Sequence, residues 1–182
     1  VACAGFLMLY SVAGGSATPW MEPQLKRFGL GMVLMFIVAM VPIWFWRNMA
    51  FVAYAGSIIL LLGVEFFGEV RMGAQRWIDL KFMVLQPSEV TKVTVVMFIA
   101  AYYDWLPLEK TSRPLWVALP VIFILVPTML VLKQPDLGTA LLLLFGGATV
   151  MFLAGVHWAY FATVVSAGVG AIVAVFESRG TP

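Results

Sequence analysis

Seven times along its length the chain returns to an apolar run long enough, or nearly long enough, to cross a bilayer, and this succession constrains it more than any single motif. Hydrocarbon offers no water to a backbone N–H or C=O, so a spanning segment must close its hydrogen bonds within itself. A helix of about 20 apolar residues does so. The runs are Val1 to Ala13, Phe28 to Trp46, Phe51 to Phe67, Pro87 to Tyr103, Leu115 to Leu132, Pro135 to Val156 and Trp158 to Phe176. The expected fold class is all-α: a polytopic integral membrane helix bundle, organised as a single membrane domain over residues 1–182. Composition agrees, since 63% hydrophobic and 11% charged residues, with a mean hydropathy of +1.00, leave too little polar surface to face water. The first run lacks a charged leader and the chain stops in the polar stub Glu177 to Pro182, so it reads as part of a longer protein, truncated at both ends.

Between the runs, Gly14 to Arg27 reads as a loop and Arg47-Asn48 as a tight turn. Six of the seven Trp residues flank spans and Trp77 lies in the long polar connection, as expected of rings that settle at membrane interfaces. Gly146-Gly147-Ala148 and the small residues from Ala167 to Ala171 allow helices to approach closely. Several function classes drop out. Eleven Lys/Arg scattered among membrane spans form no basic face for nucleic acid. Cys3 stands alone, and there is no P-loop, dinucleotide fingerprint or Ser/His/Asp arrangement. His157 has no second ligand at metal spacing and reads as structural.

Polar chemistry gathers in Gly73 to Lys92, GAQRWIDLKFMVLQPSEVTK. In Gln86-Pro87-Ser88-Glu89-Val90-Thr91-Lys92, a proline at the first helical position loses no hydrogen bond, so a span should open there. Glu89 then meets the positive end of the helix dipole, and Lys92 follows three residues on, on the same face. A lone cation at that depth costs about 2.5–3.5 kcal/mol, so Lys92 needs a partner or a wet cavity. Two readings stand: a self-neutralising Glu89–Lys92 pair, or a pair that shapes a polar cavity. Arg76, in an amphipathic stretch suited to a short hairpin or re-entrant piece, carries a planar fork that fits phosphate, against a plain headgroup-binding loop arginine. Gln134-Pro135-Asp136 echoes the opening motif, with Asp136 expected in a first helical turn.

If connections alternate sides, the loops 14–27, 68–86, 133–136 and 177–182 share one face and carry Lys26, Arg27, Arg71, Arg76, Lys81, Lys133 and Arg179, against Arg47, Lys110 and Arg113 on the other. Taken literally, the positive-inside rule puts the richer face in the cytoplasm.

GAQRWIDL…LQPSEVTK and KQPDLGTALLLL…FLAGV together resemble the two signature regions of the SEDS family (shape, elongation, division and sporulation), the membrane glycosyltransferases of peptidoglycan synthesis; the RodA branch looks closer than the FtsW branch. The resemblance implies a bundle of about ten spans that polymerises lipid II on the outer face of the bacterial cytoplasmic membrane during elongation and cell-shape maintenance, releasing undecaprenyl diphosphate. It implies that the cation-rich loops are extracytoplasmic, where cations serve a diphosphate substrate, against the charge rule. Arg76, Glu89, Lys92 and Asp136 match polar residues lining the family's central cavity. The family's essential aspartate, the presumed base for the acceptor 4-hydroxyl, is expected beyond Pro182, leaving no catalytic residue here and the piece inactive alone. A class B penicillin-binding protein is the implied partner; no cofactor is fixed, and a divalent cation stays open. Lys81 departs from the glycine common in the family. The rival readings are a lipid-linked precursor transporter (flippase) and a non-catalytic scaffold for a transpeptidase.

Overall fold

Apolar runs become helices here, and the polar stretch between the third and fourth becomes a small sheet. The structure is a computed structural model, and it describes all residues except 1, 17, 19, 68, 72–73, 80–83 and 181–182; at 67, 69–71, 74–75, 79, 169 and 171–180 it describes the backbone alone. Among the described residues the order is α1 (Ala2–Val12), α2 (Met21–Met40), α3 (Ile43–Phe67), β1 (Glu69–Arg71), β2 (Ala74–Asp79), β3 (Val84–Leu85), α4 (Pro87–Trp105), a 3₁₀ turn (Leu108–Lys110), α5 (Pro114–Lys133), α6 (Leu137–Leu153) and α7 (Trp158–Gly180). Helices α2, α3 and α5 are long and apolar enough to cross a membrane; α1 and α6 are apolar but shorter. The strands form one antiparallel sheet in the order β1-β2-β3, the hairpin alternative for the Arg76 stretch.

The chain divides into two compact units, residues 1–46 and 47–182. In the first, α1 lies along α2, with the Phe6 and Phe28 rings edge-to-face at 5.4 Å. Two sequence expectations are corrected here. The stretch 14–27 is not all loop: α2 begins at Met21, with Glu22 in its first turn and paired to Lys26 at 2.6 Å across one helical turn. Arg47-Asn48 is not a turn but lies inside α3. The break falls at Val41-Pro42, where Val41 is extended (φ −76°, ψ 127°), because a proline pushes the residue before it out of the helical region. Arg47 instead reaches Asp104 at the far end of α4, 3.0 Å away.

In the second unit, α4, α5 and α6 pack on one another, α6 lying against both of the others, and the core holds Leu61 and Tyr54 from α3, Val95, Phe98 and Ile99 from α4, Ile124 and Val131 from α5, and Leu143 and Met151 from α6. Tyr54, Phe98 and Phe123 form an aromatic knot with centroids 4.7 to 5.6 Å apart. Two prolines sit inside α5, Pro120 and Pro127, both buried. Each lacks the N–H that would bond the carbonyl four residues earlier, at Trp116 and Phe123. Those two carbonyls receive tyrosine hydroxyls from other helices: Tyr102 of α4 donates to Trp116 at 3.0 Å, and Tyr54 of α3 donates to Phe123 at 2.9 Å. Helices α3 and α4 are joined directly by the buried hydroxyls of Thr94 and Ser57, 2.8 Å apart.

Helix α6 meets its neighbours through glycine. A Cβ on Gly146 would lie 3.3 Å from Val96, and one on Gly147 would lie 2.4 and 2.6 Å from carbons of Ile124. The second distance is too short for any side chain. Gly147→Ala should therefore destabilise the protein by about 1–3 kcal/mol in SDS unfolding titrations, as overpacking does. Adding Ile124→Ala should recover most of that loss, and strictly additive costs would contradict the contact.

Candidate functional site

The polar residues singled out in the sequence fall into two groups: Arg76 joins the α5–α6 break that Asp136 caps, through backbone groups that the helices leave open, while Glu89 and Lys92 pair with each other in the first turns of α4. A helix ends with four carbonyls lacking internal donors, and these carry the negative end of its dipole. At the end of α5, the Arg76 guanidinium fills that role from β2. Its Nε donates to the Gln134 carbonyl at 2.8 Å and a terminal N–H donates to the Pro135 carbonyl. Arg76 thus clamps the sheet to the break between α5 and α6. The fork read as a phosphate ligand commits at least two of its five donors to protein.

That break is built differently from the expected second helix-opening motif. Gln134 is the C-cap of α5, and its side-chain amide donates to the Leu61 carbonyl of α3 at 3.4 Å. Pro135 precedes the new helix rather than starting it. Asp136 is the N-cap of α6, outside the first turn, with its carboxylate accepting from the Thr139 backbone N–H at 3.1 Å and the Thr139 hydroxyl at 2.8 Å. The proline stands two residues before the first helical residue, Leu137, so the capping aspartate sets the start. Thr139 was not singled out, although an Asp three residues before a Thr at the head of an apolar run is a capping pattern.

The first motif behaves differently. Gln86 is the N-cap of α4 and Pro87 its first residue, which is buried. The Gln86 amide donates to the buried Ser88 hydroxyl at 3.1 Å, and Thr91 returns its hydroxyl to the Pro87 carbonyl at 2.9 Å. Glu89 and Lys92 form an ion pair at 2.8 Å. Lys92 is mostly covered, at 26% exposure, whereas Glu89 is open at 58%. The pair therefore neutralises itself and still presents a carboxylate outward. So the two Gln-Pro echoes are not equivalent: one starts a helix, and the other joins two.

Gly73 and Lys81 lie outside the described residues. His157 closes the opposite connections: its Nδ1 accepts from the Ala159 N–H at 3.3 Å, and its own N–H donates to the Ser112 hydroxyl at 3.0 Å. Among the described residues no three His, Cys, Asp or Glu side chains come together as a metal centre.

Arg76→Lys should fail to replace the arginine, because an ammonium cannot reproduce a planar two-carbonyl fork. Amide exchange in residues 137–140 should rise about tenfold in both Arg76→Lys and Arg76→Ala, in line with about 1.5–3 kcal/mol for a hydrogen bond to a charged group. Wild-type protection in Arg76→Lys would show that something else holds the break.

Comparison with known proteins places this geometry. Residues 1–180 match the FtsW/RodA/SpoVE family, described as cell cycle protein. The chain is 36% identical over 157 residues to the peptidoglycan glycosyltransferase MrdB of Escherichia coli K12, covering 84% of this chain and 42% of that protein. It is also 36% identical over 152 residues to the probable peptidoglycan glycosyltransferase FtsW of Escherichia coli O6:H1, covering 81% of this chain and 37% of that one. Among solved structures, Thermus thermophilus RodA superposes with a TM-score of 0.72 at 31% identity, over 90% of this chain and 55% of RodA. A chain from a peptidoglycan synthase complex superposes at 0.79 with 29% identity, over 98% of this chain and 53% of its own length. The chain thus spans less than half the length of the curated relatives it matches. With its apolar helices and these relatives, it is a multi-pass protein of the bacterial cytoplasmic membrane. The two stretches joined by Arg76, the match across residues 1–180 and the shared fold lead to one assignment: the chain belongs to the SEDS family of FtsW, RodA and SpoVE.

Proposed function

We propose that the protein containing this chain is a peptidoglycan glycosyltransferase of the RodA type, which extends glycan strands from lipid II during cell elongation. The observation that carries the reading is the Arg76 clamp: two signature stretches 58 residues apart in sequence are tied into one polar junction at the helix ends. MrdB and FtsW, which match across that junction, are both named as peptidoglycan glycosyltransferases. In the reaction, the 4-hydroxyl of the acceptor sugar attacks C1 of the donor sugar. The bond from C1 to the undecaprenyl diphosphate oxygen breaks, and a base takes the hydroxyl proton.

Each residue of the junction has a defined part in this proposal. Arg76 positions the α5–α6 break and Asp136 caps α6, so both act through the fold. Glu89 and Lys92 set the charge of the cavity, where Lys92 meets the diphosphate and Glu89 keeps its charge balanced when substrate is absent. Neither Arg76 nor Asp136 is the base: Arg76 cannot accept a proton, and the Asp136 carboxylate is occupied by Thr139. The proposed assembly partner is a class B penicillin-binding protein, since one superposed chain comes from a complex that coordinates polymerisation and crosslinking. The cation-rich loops face the extracytoplasmic side, where the diphosphate substrate is used.

Polymerisation of purified lipid II by the full-length protein tests the reading. Lys92→Ala should lower kcat/KM about tenfold or more, which corresponds to about 1.4 kcal/mol of lost transition-state binding. Asp136→Asn should stay near wild type, because asparagine caps as well as aspartate, while Asp136→Ala should not. An unchanged rate in Lys92→Ala removes it from the cavity. Passage of labelled lipid II across vesicles with no glycan product would replace the enzyme reading with transport.

A further inference from the structure

Between α3 and α5 runs an open groove of about 550 Å³, walled by Ile58 and Leu62 on one side and by Ile122, Val126 and Met129 on the other. Its charged lining residue is Lys133, at the end of α5. The groove is lined by none of Arg76, Glu89, Lys92 or Asp136, and only its mouth at Lys133 adjoins the junction above, through the neighbouring Gln134. From Ile122 to Lys133 the helix rises about 16 Å at 1.5 Å per residue. That is close to half the ~30 Å hydrocarbon core, the depth of one leaflet. One turn beyond its deep end, the Tyr54 hydroxyl ties α3 to the Phe123 carbonyl at 2.9 Å. At the outer end, Lys133 Nζ faces Glu65 Oε1 at 3.4 Å, and the two side chains are 66% and 42% exposed.

We propose that this groove binds one zwitterionic glycerophospholipid with a phosphoethanolamine headgroup, its acyl chain along the aliphatic walls, its phosphate on Lys133 and its ammonium on Glu65. Water has no place in the deep part, where a single polar partner is out of reach and two to four are needed. A hydrocarbon chain restores the dispersion contacts that an empty groove forfeits. The headgroup follows from the charges at the mouth. A purely anionic lipid would bring its phosphate against the Glu65 carboxylate, whereas a headgroup of both signs satisfies both side chains at once. The 3.4 Å Lys133–Glu65 separation is longer than the 2.7–2.9 Å typical of a charge-assisted bond, so each partner gains by turning to the lipid. Ethanolamine is favoured over choline because its ammonium can donate hydrogen bonds to the carboxylate and a quaternary nitrogen cannot. This site goes beyond the glycosyltransferase reading and does not depend on it.

The test is native mass spectrometry of the full-length protein released from nanodiscs containing equal parts of palmitoyl-oleoyl phosphatidylethanolamine, phosphatidylcholine and phosphatidylglycerol. The wild type should retain the ethanolamine lipid about fivefold over the glycerol lipid. Glu65→Gln should erase or invert that preference, and Leu62→Trp, which fills the groove, should remove retention of all three. Asp104→Asn, which breaks an exposed pair elsewhere, should match the wild type. The proposal falls if the wild type shows no ethanolamine preference, including no retention at all. It also falls if Glu65→Gln retains the wild-type ratio, or if added undecaprenyl diphosphate displaces the bound lipid.

Discussion

A carbonyl that loses its helical donor inside a bilayer has no water to turn to, and the packing of this chain follows from that. Pro127 creates such a carbonyl at Phe123 in the middle of α5, Pro120 frees another at Trp116 near the membrane interface, and a tyrosine from a different helix answers each one. The consequence reaches beyond α5. Because the donors come from α3 and α4, the repair of one helix's backbone fixes its neighbours against it. In water the same prolines would cost about 3 kcal/mol each and could be solvated locally. In lipid the deficit becomes a tether.

The same logic operates at the ends of the helices. Arg76 supplies donors to the Gln134 and Pro135 carbonyls just past α5, Gln134 reaches the Leu61 carbonyl of α3, and Asp136 accepts the Thr139 N–H in the first turn of α6. Glycine completes the arrangement at Gly147, where Ile124 occupies the space a side chain would need. Tyrosine bonds set which helices surround α5, glycine sets how closely α6 approaches, and the Arg76 clamp brings the sheet to that assembly. The polar junction is therefore held where the packed helices α4, α5 and α6 end.

Much of this was legible in the sequence, and the misses have physical causes. Hydrophobic runs located the helices because their length is imposed by the bilayer, and Pro87 marked the start of α4 as its missing N–H demands. Polarity misled at Arg47-Asn48, since a long arginine on a helix can reach a distant carboxylate and needs no turn. The true break was signalled by Pro42 through its effect on Val41. Pro135 misled in the opposite way, because the capping side chain of Asp136 sets the helix start and the proline stands two residues ahead of it. The tyrosine tethers were half visible: an interior proline announces an orphaned carbonyl, but its partner lies 14 residues away for Trp116 and 69 for Phe123, and only the fold reveals it. Arg76 was found as a charged residue in the right stretch, while its donors turned out to serve carbonyls as well as any ligand.

The central claim is that the tyrosines stand in for the donors the prolines lack, and a double-mutant cycle at Tyr54 and Pro127 tests it most directly. Tyr54→Phe should destabilise the protein by about 1 kcal/mol, within the range for interhelical bonds in membranes. In the Pro127→Ala background, where residue 127 regains an N–H four residues after Phe123, most of that cost should vanish. Tyr102→Phe should show no such rescue by Pro127→Ala. A Tyr54→Phe cost that is the same with proline or alanine at 127 would mean that the hydroxyl is not replacing a lost helical donor, and the account of α5 as a tethered helix would fail.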